Sequence, residues 1–321
     1  MPSRSYGSEV GGDMRGCGRG VLGPCFQFVA TLLAACACAC ASAYAQTAGT
    51  LTLAEGSVEL IRGATLYSAT QGVRLGDGDI LSIDPKGQAQ IEFQDGAILN
   101  LSQGARAMLT SIASGARGQS EIALLSGWAK FTQKKSSKGT QYRYLTPRVE
   151  IDAGEATAVL NAGDGSTDIY VESGTVRFSE ISRKGVQRIA RDAKGGEFIV
   201  RRGEQPATLG SRPSSEFVKN MPRQFRDDLP VLLDRFKNRR SEPKREHEVT
   251  YAEVEAWLKA GSPIRKNFVK RFEIRSKDSE FRRKLIENLR EHPEWDKVLF
   301  PEKYAPKDPN SPKSAQSGTQ R

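Results

Sequence analysis

Gln88–Ser102 reads QAQIEFQDGAILNLS. Ala89, Ile91 and Phe93 alternate with Gln88, Gln90 and Glu92. Beyond Asp95-Gly96, Ala97, Leu99 and Leu101 alternate with Ile98, Asn100 and Ser102. Successive side chains of a strand point to opposite faces, so a period of two marks a strand with one face turned to a core. An Asp-Gly pair between two such runs supplies the left-handed backbone of a tight turn. The stretch predicts a β-hairpin.

Working outward, strand-sized runs recur between glycine-rich turns. Glu121 to Leu125 leads to Gly127, and Arg148 to Ile151 follows Pro147. Thr167 to Val171 follows Ala162-Gly163-Asp164-Gly165, Thr175 to Ser179 follows Gly174, and Glu197 to Val200 follows Gly195-Gly196. Many short strands at regular spacing predict an all-β domain of stacked strands, solenoid- or sandwich-like, over residues 46–210.

The period then changes. Ser214 to Phe236 reads as helical, and Asn238 to Glu248 (NRRSEPKREHE) as a charged linker, together residues 211–249. Thr250 with Glu253 has capping-box spacing, and Tyr251, Val254, Trp257 and Leu258 share one face before Gly261. Ser262-Pro263 opens a second helix carrying Ile264, Phe268 and Phe272. Asp278 or Ser279 opens a third with Phe281, Leu285, Ile286 and Leu289. Residues 250–304 thus form a small, mainly α domain, and the Pro, Ser, Lys and Gln tail 305–321 is too polar to pack.

The N-terminal residues 1–45 read as a secretion signal. Arg15 and Arg19 precede an apolar run from Val21 to Cys40, and Ala43-Tyr44-Ala45 offers a small-x-small cut before Gln46. All five cysteines lie ahead of that cut. A competing cut precedes Cys36, because Leu33-Ala34-Ala35-Cys36 resembles a lipobox; a lipid on Cys36 would be the chain's one route to the membrane. Either way the expected address is the periplasm or the envelope facing it, and a cysteine-free product avoids wrong disulfides there.

Taken in order over about 150 residues, several motifs resemble the periplasmic FecR domain. They include Gly56-Ser57-Val58, the run Leu75 to Leu81 (LGDGDIL), Ala89 to Leu101 (AQIEFQDGAILNL) and Leu125 to Phe131 (LSGWAKF). Thr146 to Ile151 (TPRVEI) and Tyr170 to Val176 (YVESGTV) continue the series. The resemblance implies a stacked-strand domain without catalytic residues, which relays a signal from an outer-membrane receptor to a sigma factor. The chain departs from that plan. Gly154-Glu155-Ala156-Thr157 stands where the family usually has Gly-Thr. Only a short Gly-rich stretch precedes the apolar run, so the relay itself is disfavoured.

The residues offer no chemistry that competes with this reading. His247 lies in the charged linker and His292 precedes Pro293, neither placed as a catalytic base. Asp77 and Asp79 sit in a Gly-Asp-Gly-Asp turn without the further ligands of a calcium loop. No cofactor, metal site or enzymatic activity is expected. The chain carries a net +10, most of it C-terminal of residue 210. Export argues against nucleic acid as the partner. Arg265, Lys266, Lys270 and Arg271 form a candidate basic surface for an anionic envelope partner: peptidoglycan or another anionic polymer, phospholipid head groups or lipopolysaccharide. The first expectation is a partner envelope protein, met through strand edges or loops.

Overall fold

Gln88–Phe93 and Ile98–Leu101 pair antiparallel, in register from Ala89↔Leu101 to Glu92↔Ile98. Gly96 takes φ +87° at the turn, and Asp95 Oδ1 accepts from the Ala97 amide at 3.1 Å. The hairpin forms as its pattern predicts. The computed structural model describes residues 49–113, 118–134, 140–163, 165–182, 185–228 and 230–304. The signal, the cut and the C-terminal tail lie outside the described residues.

The strands are β1 (Gly49–Glu55), β2 (Val58–Arg62), β3 (Thr65–Ser68), β4 (Arg74–Leu75), β5 (Ile80–Ile83), β6 (Gln88–Phe93), β7 (Ile98–Leu101) and β8 (Arg106–Ser111). They continue with β9 (Gln119–Gln133), β10 (Gln141–Leu145), β11 (Val149–Gly163), β12 (Ser166–Ser182), β13 (Gly185–Lys194), β14 (Phe198–Arg202), β15 (Thr208–Gly210) and β16 (Lys244–Glu248). They join in one sheet ordered β15-β14-β12-β11-β10-β9-β8-β5-β2-β3-β16, with β1, β4, β6, β7 and β13 attached beside this path. The class is mainly β, as the sequence predicts.

Several expectations change in detail, two of them in the sheet. The run of short strands between Gln119 and Ser182 contains three long ones, β9, β11 and β12. Gly127 and Gly174, read as turns, lie inside strands at φ +87° and +78°. Gly174 sits beside register shifts of the β11–β12 ladder. A bulge of this kind bends a strand without ending it. The stretch read as a charged linker contains β16, which pairs antiparallel with β3 through Lys244↔Ser68 and Glu248↔Thr65.

The helices are α1 (Ser215–Asn220), α2 (Tyr251–Leu258), α3 (Ser262–Arg265), α4 (Phe268–Phe272), α5 (Ser279–Glu287) and α6 (Asp296–Leu299). The capping box at Thr250 and Glu253 is present, and Asp278 caps α5 by accepting from the Phe281 amide at 2.9 Å. The single helix expected after Pro263 is broken into α3 and α4 at Lys266 and Asn267. Only α1 and two 3₁₀ turns, Arg223–Phe225 and Leu233–Phe236, realise the helix expected over 214–236.

One apolar cluster lies among the sheet residues and includes Leu51, Ile91, Leu99, Phe131, Leu160, Ile169 and Ile199. A second joins Ile61, Leu66, Ile80, Met108, Ala123, Leu145 and Ile181 of the sheet to Val254, Trp257, Phe272, Phe281 and Trp295 of the helices. The boundary between β and α parts is therefore a boundary of element type across a shared core. No described helix is long and apolar enough to cross a membrane.

Candidate functional site

Cys36, Ala43, Ala45 and Gln46 lie outside the described residues. The four candidate basic residues are described, and they do not act alike. Arg271 reaches from α4 onto the sheet, where Nε donates to the Gly63 carbonyl at 2.8 Å and Nη2 to that of Ile61 at 2.9 Å. Its Nη1 donates to Gly78. Burial lowers the pKa of this guanidinium from its ordinary range to about 10. Arg265 turns toward the helices: Nη1 donates to the Glu291 carbonyl at 2.6 Å, and Nε lies 3.1 Å from Glu294. Lys266 and Lys270 are exposed. Two of the four therefore bind main-chain oxygens of their own fold.

The histidines and the acidic turn are likewise engaged. Asp79 is buried, with Arg62 donating to both its oxygens at 3.0 and 2.6 Å and the Gly76 amide at 2.9 Å. His292 is fully buried, its Nε2 3.1 Å from the Tyr251 hydroxyl, and burial holds its pKa below the ordinary 6.5. His247 pairs with Glu253 at 2.8 Å on the surface. Among the described residues, no cluster of three or more His, Cys, Asp or Glu is placed to hold a metal ion. These arrangements brace turns and a core.

A concavity lies elsewhere, at the end of the sheet. A groove of about 1020 Å³ runs between β14, β15 and α1. Its apolar lining is Phe198, Val200, Leu209, Val218 and Met221, and Arg212, Lys219 and Arg226 stand around it. Leu209 and Val218 are 39% and 41% exposed. Among the described residues β15 pairs with β14 alone, and no described strand lies on its other edge. An unpaired edge offers a row of main-chain donors and acceptors, the usual template for an added strand. Of the cations, Arg226 donates to the Val218 carbonyl at 3.3 Å. The groove was not legible in the sequence, since Thr208–Gly210 is too short to show a period and exposure has no sequence signal.

Two solved structures of a candidate anti-sigma factor from Parabacteroides distasonis ATCC 8503 are similar, at 13% and 16% identity with TM-scores of 0.36 and 0.35. The similarity covers 43% of this chain and 62% of each of those chains, so this chain spans less than two thirds of their length. No curated protein matches the chain significantly. Residues 79–177, from the Gly-Asp-Gly-Asp turn through the hairpin to β12, match the family model described as FecR protein.

Proposed function

We propose that this chain is a non-catalytic, exported envelope module that docks a partner envelope protein or senses a signal through it. The observation that supports this is the FecR domain over residues 79–177. On this reading the docking surface is the groove beside β15, and its occupant is an extended, acidic segment of the partner. The strand edge offers main-chain hydrogen bonds, Leu209 and Val218 offer apolar contact, and Arg212, Lys219 and Arg226 favour carboxylates. The alternative, an anionic polymer such as peptidoglycan held by Arg265, Lys266, Lys270 and Arg271, is less well supported. Arg265 and Arg271 spend their donors inside the fold.

A photo-crosslinking residue at Leu209, compared with one at Ile274 on the helical side, tests the reading in intact cells. The expected result is a discrete adduct at position 209, absent at 274 and lost in Arg212→Glu/Lys219→Glu. Equal adducts at both positions, or indifference to the charge reversal, would overturn it.

A further inference from the structure

The outer face of the sheet carries a transverse row of side chains, set by strand register. Gln90 pairs with Asn100, Asn100 with Lys130, Lys130 with Val159, Val159 with Tyr170, and Tyr170 with Phe198. One half of the row is polar and the other apolar. Residues 213–228 and 230–236 lie across it as a strap. Phe217 sits against Trp128 and Phe198, with ring centroids 4.9 Å from each. Phe225 is fully buried in the same cluster.

Over the polar half, the sheet grips the strap mainly by its backbone. Lys130 Nζ donates to the Phe225 carbonyl at 2.8 Å, and Gln90 Nε2 to that of Pro230 at 3.1 Å. Glu92 accepts from the amides of Leu232 and Leu233 at 2.8 and 3.0 Å. Arg74 Nη2 donates to the Phe236 carbonyl at 2.6 Å. Side-chain contacts are fewer: Gln224 Nε2 donates to Ser102 Oγ at 2.6 Å, and Asp228 lies 3.7 Å from Lys130. Main-chain contacts of this kind recognise an extended peptide with little regard to its sequence.

Two further observations point to a site rather than a permanent seam. Gln90 Oε1 and Asn100 Oδ1 are buried without a protein donor, so the strap leaves two acceptors of the row unmet. An unmet buried acceptor is costly, and an occupant with amides at those points would fit better. The strap also has little structure of its own, one short helix and two 3₁₀ turns. Val231 is 64% exposed, and among the described strap residues Phe217, Pro222 and Phe225 are buried, the two phenylalanines as its aromatic anchors. Segments held by so few buried apolar groups open at lower cost than a sheet core.

We propose that this face of the FecR domain is a groove that reads the main chain of an extended peptide bearing two aromatic anchors, held closed here by the chain's own strap. Its occupant, when the strap lifts, is such a segment of a partner protein. The strap's α1 is also a wall of the groove beside β15, but the proposal rests on the contacts of Gln90, Glu92 and Lys130, none of which lines that groove.

The test uses the full chain with Phe217→Ala/Phe225→Ala and a labelled synthetic peptide of residues 213–236. The double variant should bind the peptide at least tenfold more tightly than the unsubstituted chain, and Glu92→Gln added to it should weaken binding about tenfold. A scrambled peptide that keeps the two phenylalanines at their spacing should bind within tenfold of the native one. Binding by the native order alone would make the strap a private seam and overturn the proposal, as would equal or absent binding by both proteins. If the double variant does not fold, amide exchange in the unsubstituted chain decides. Strap amides should exchange at least tenfold faster than those of β9 and β11, and equal rates would overturn the proposal. A concentration-dependent dimer of the unsubstituted chain would assign the face to a second copy's strap and overturn the partner reading.

Discussion

Arg271 and Lys270 are neighbours in a run of basic residues, yet the structure gives them different work. Arg271 joins α4 to three carbonyls of the sheet, whereas Lys270 is exposed. Hydrogen bonds from a charged donor are each worth roughly 1.5–3 kcal/mol, and only a guanidinium has the fork to make several at once. Arg271→Ala should therefore cost about 2–4 kcal/mol in urea unfolding, with Arg271→Lys recovering less than half. Lys270→Ala should stay within about 0.5 kcal/mol. His292 makes a pH-dependent prediction. Its pKa is lowered by burial, with Arg265 and Lys259 acting in the same direction and Glu294 opposing. Below pH about 6.5 the unfolded chain takes up a proton that the folded chain refuses. Its stabilisation is thus fully present above that pH and is lost as the pH falls. The carboxylates of Asp84 and Glu248, held low by hydrogen bonds, titrate in a lower range. Urea midpoints of the unsubstituted chain should drop between pH 7.5 and 5.5 more than those of His292→Gln. A parallel drop in both would exclude His292 as the source.

Among the elements, the hairpin and the helix caps were legible because their signals are local. Alternation around Asp95-Gly96 and the Thr250–Glu253 spacing each describe a few neighbouring residues. The long strands were not legible, since a glycine at positive φ has the same letter whether it ends a strand or bulges it. Only cross-strand pairing decides. Gly96 and Gly174 separate the two cases experimentally. A Cβ on Gly96 meets nothing within 4 Å, whereas one on Gly174 would overlap the Glu155 carbonyl and lie 2.8 Å from Ala156 Cα. Gly96→Ala should cost about 1–2 kcal/mol for its backbone conformation alone, and Gly174→Ala about 3 kcal/mol or more. Thermal midpoints of the two variants measure the difference. β16 was hidden for another reason. KREHE has no apolar residue, and its strand exists because the edge of β3 offers main-chain partners. Charged side chains on such an outer strand also discourage further pairing.

At the scale of the molecule, sheet and helices share a cluster in which Ile80, Met108 and Leu145 meet Trp257, Phe272 and Trp295. A shared core couples the two parts, so tryptophan fluorescence and far-UV circular dichroism should report one coincident urea transition. Two separated transitions would show that the helices unfold independently. The sequence by itself determined the β class, the inward residues of each alternating strand and the start of each main helix, because these follow from periods and caps within a few residues. It also carried the ordered motifs of the FecR domain. Tertiary structure alone decided what becomes of the outward residues. Gln90 and Glu92 alternate with the inward residues of their strand, yet they and Lys130 are 0%, 2% and 3% exposed. Their cover is a strap some 95 to 141 positions further along the chain. It also decided that Arg271 braces the fold while Lys270 meets solvent. A local period encodes the direction in which a side chain points, but what lies there depends on where a distant segment comes to rest.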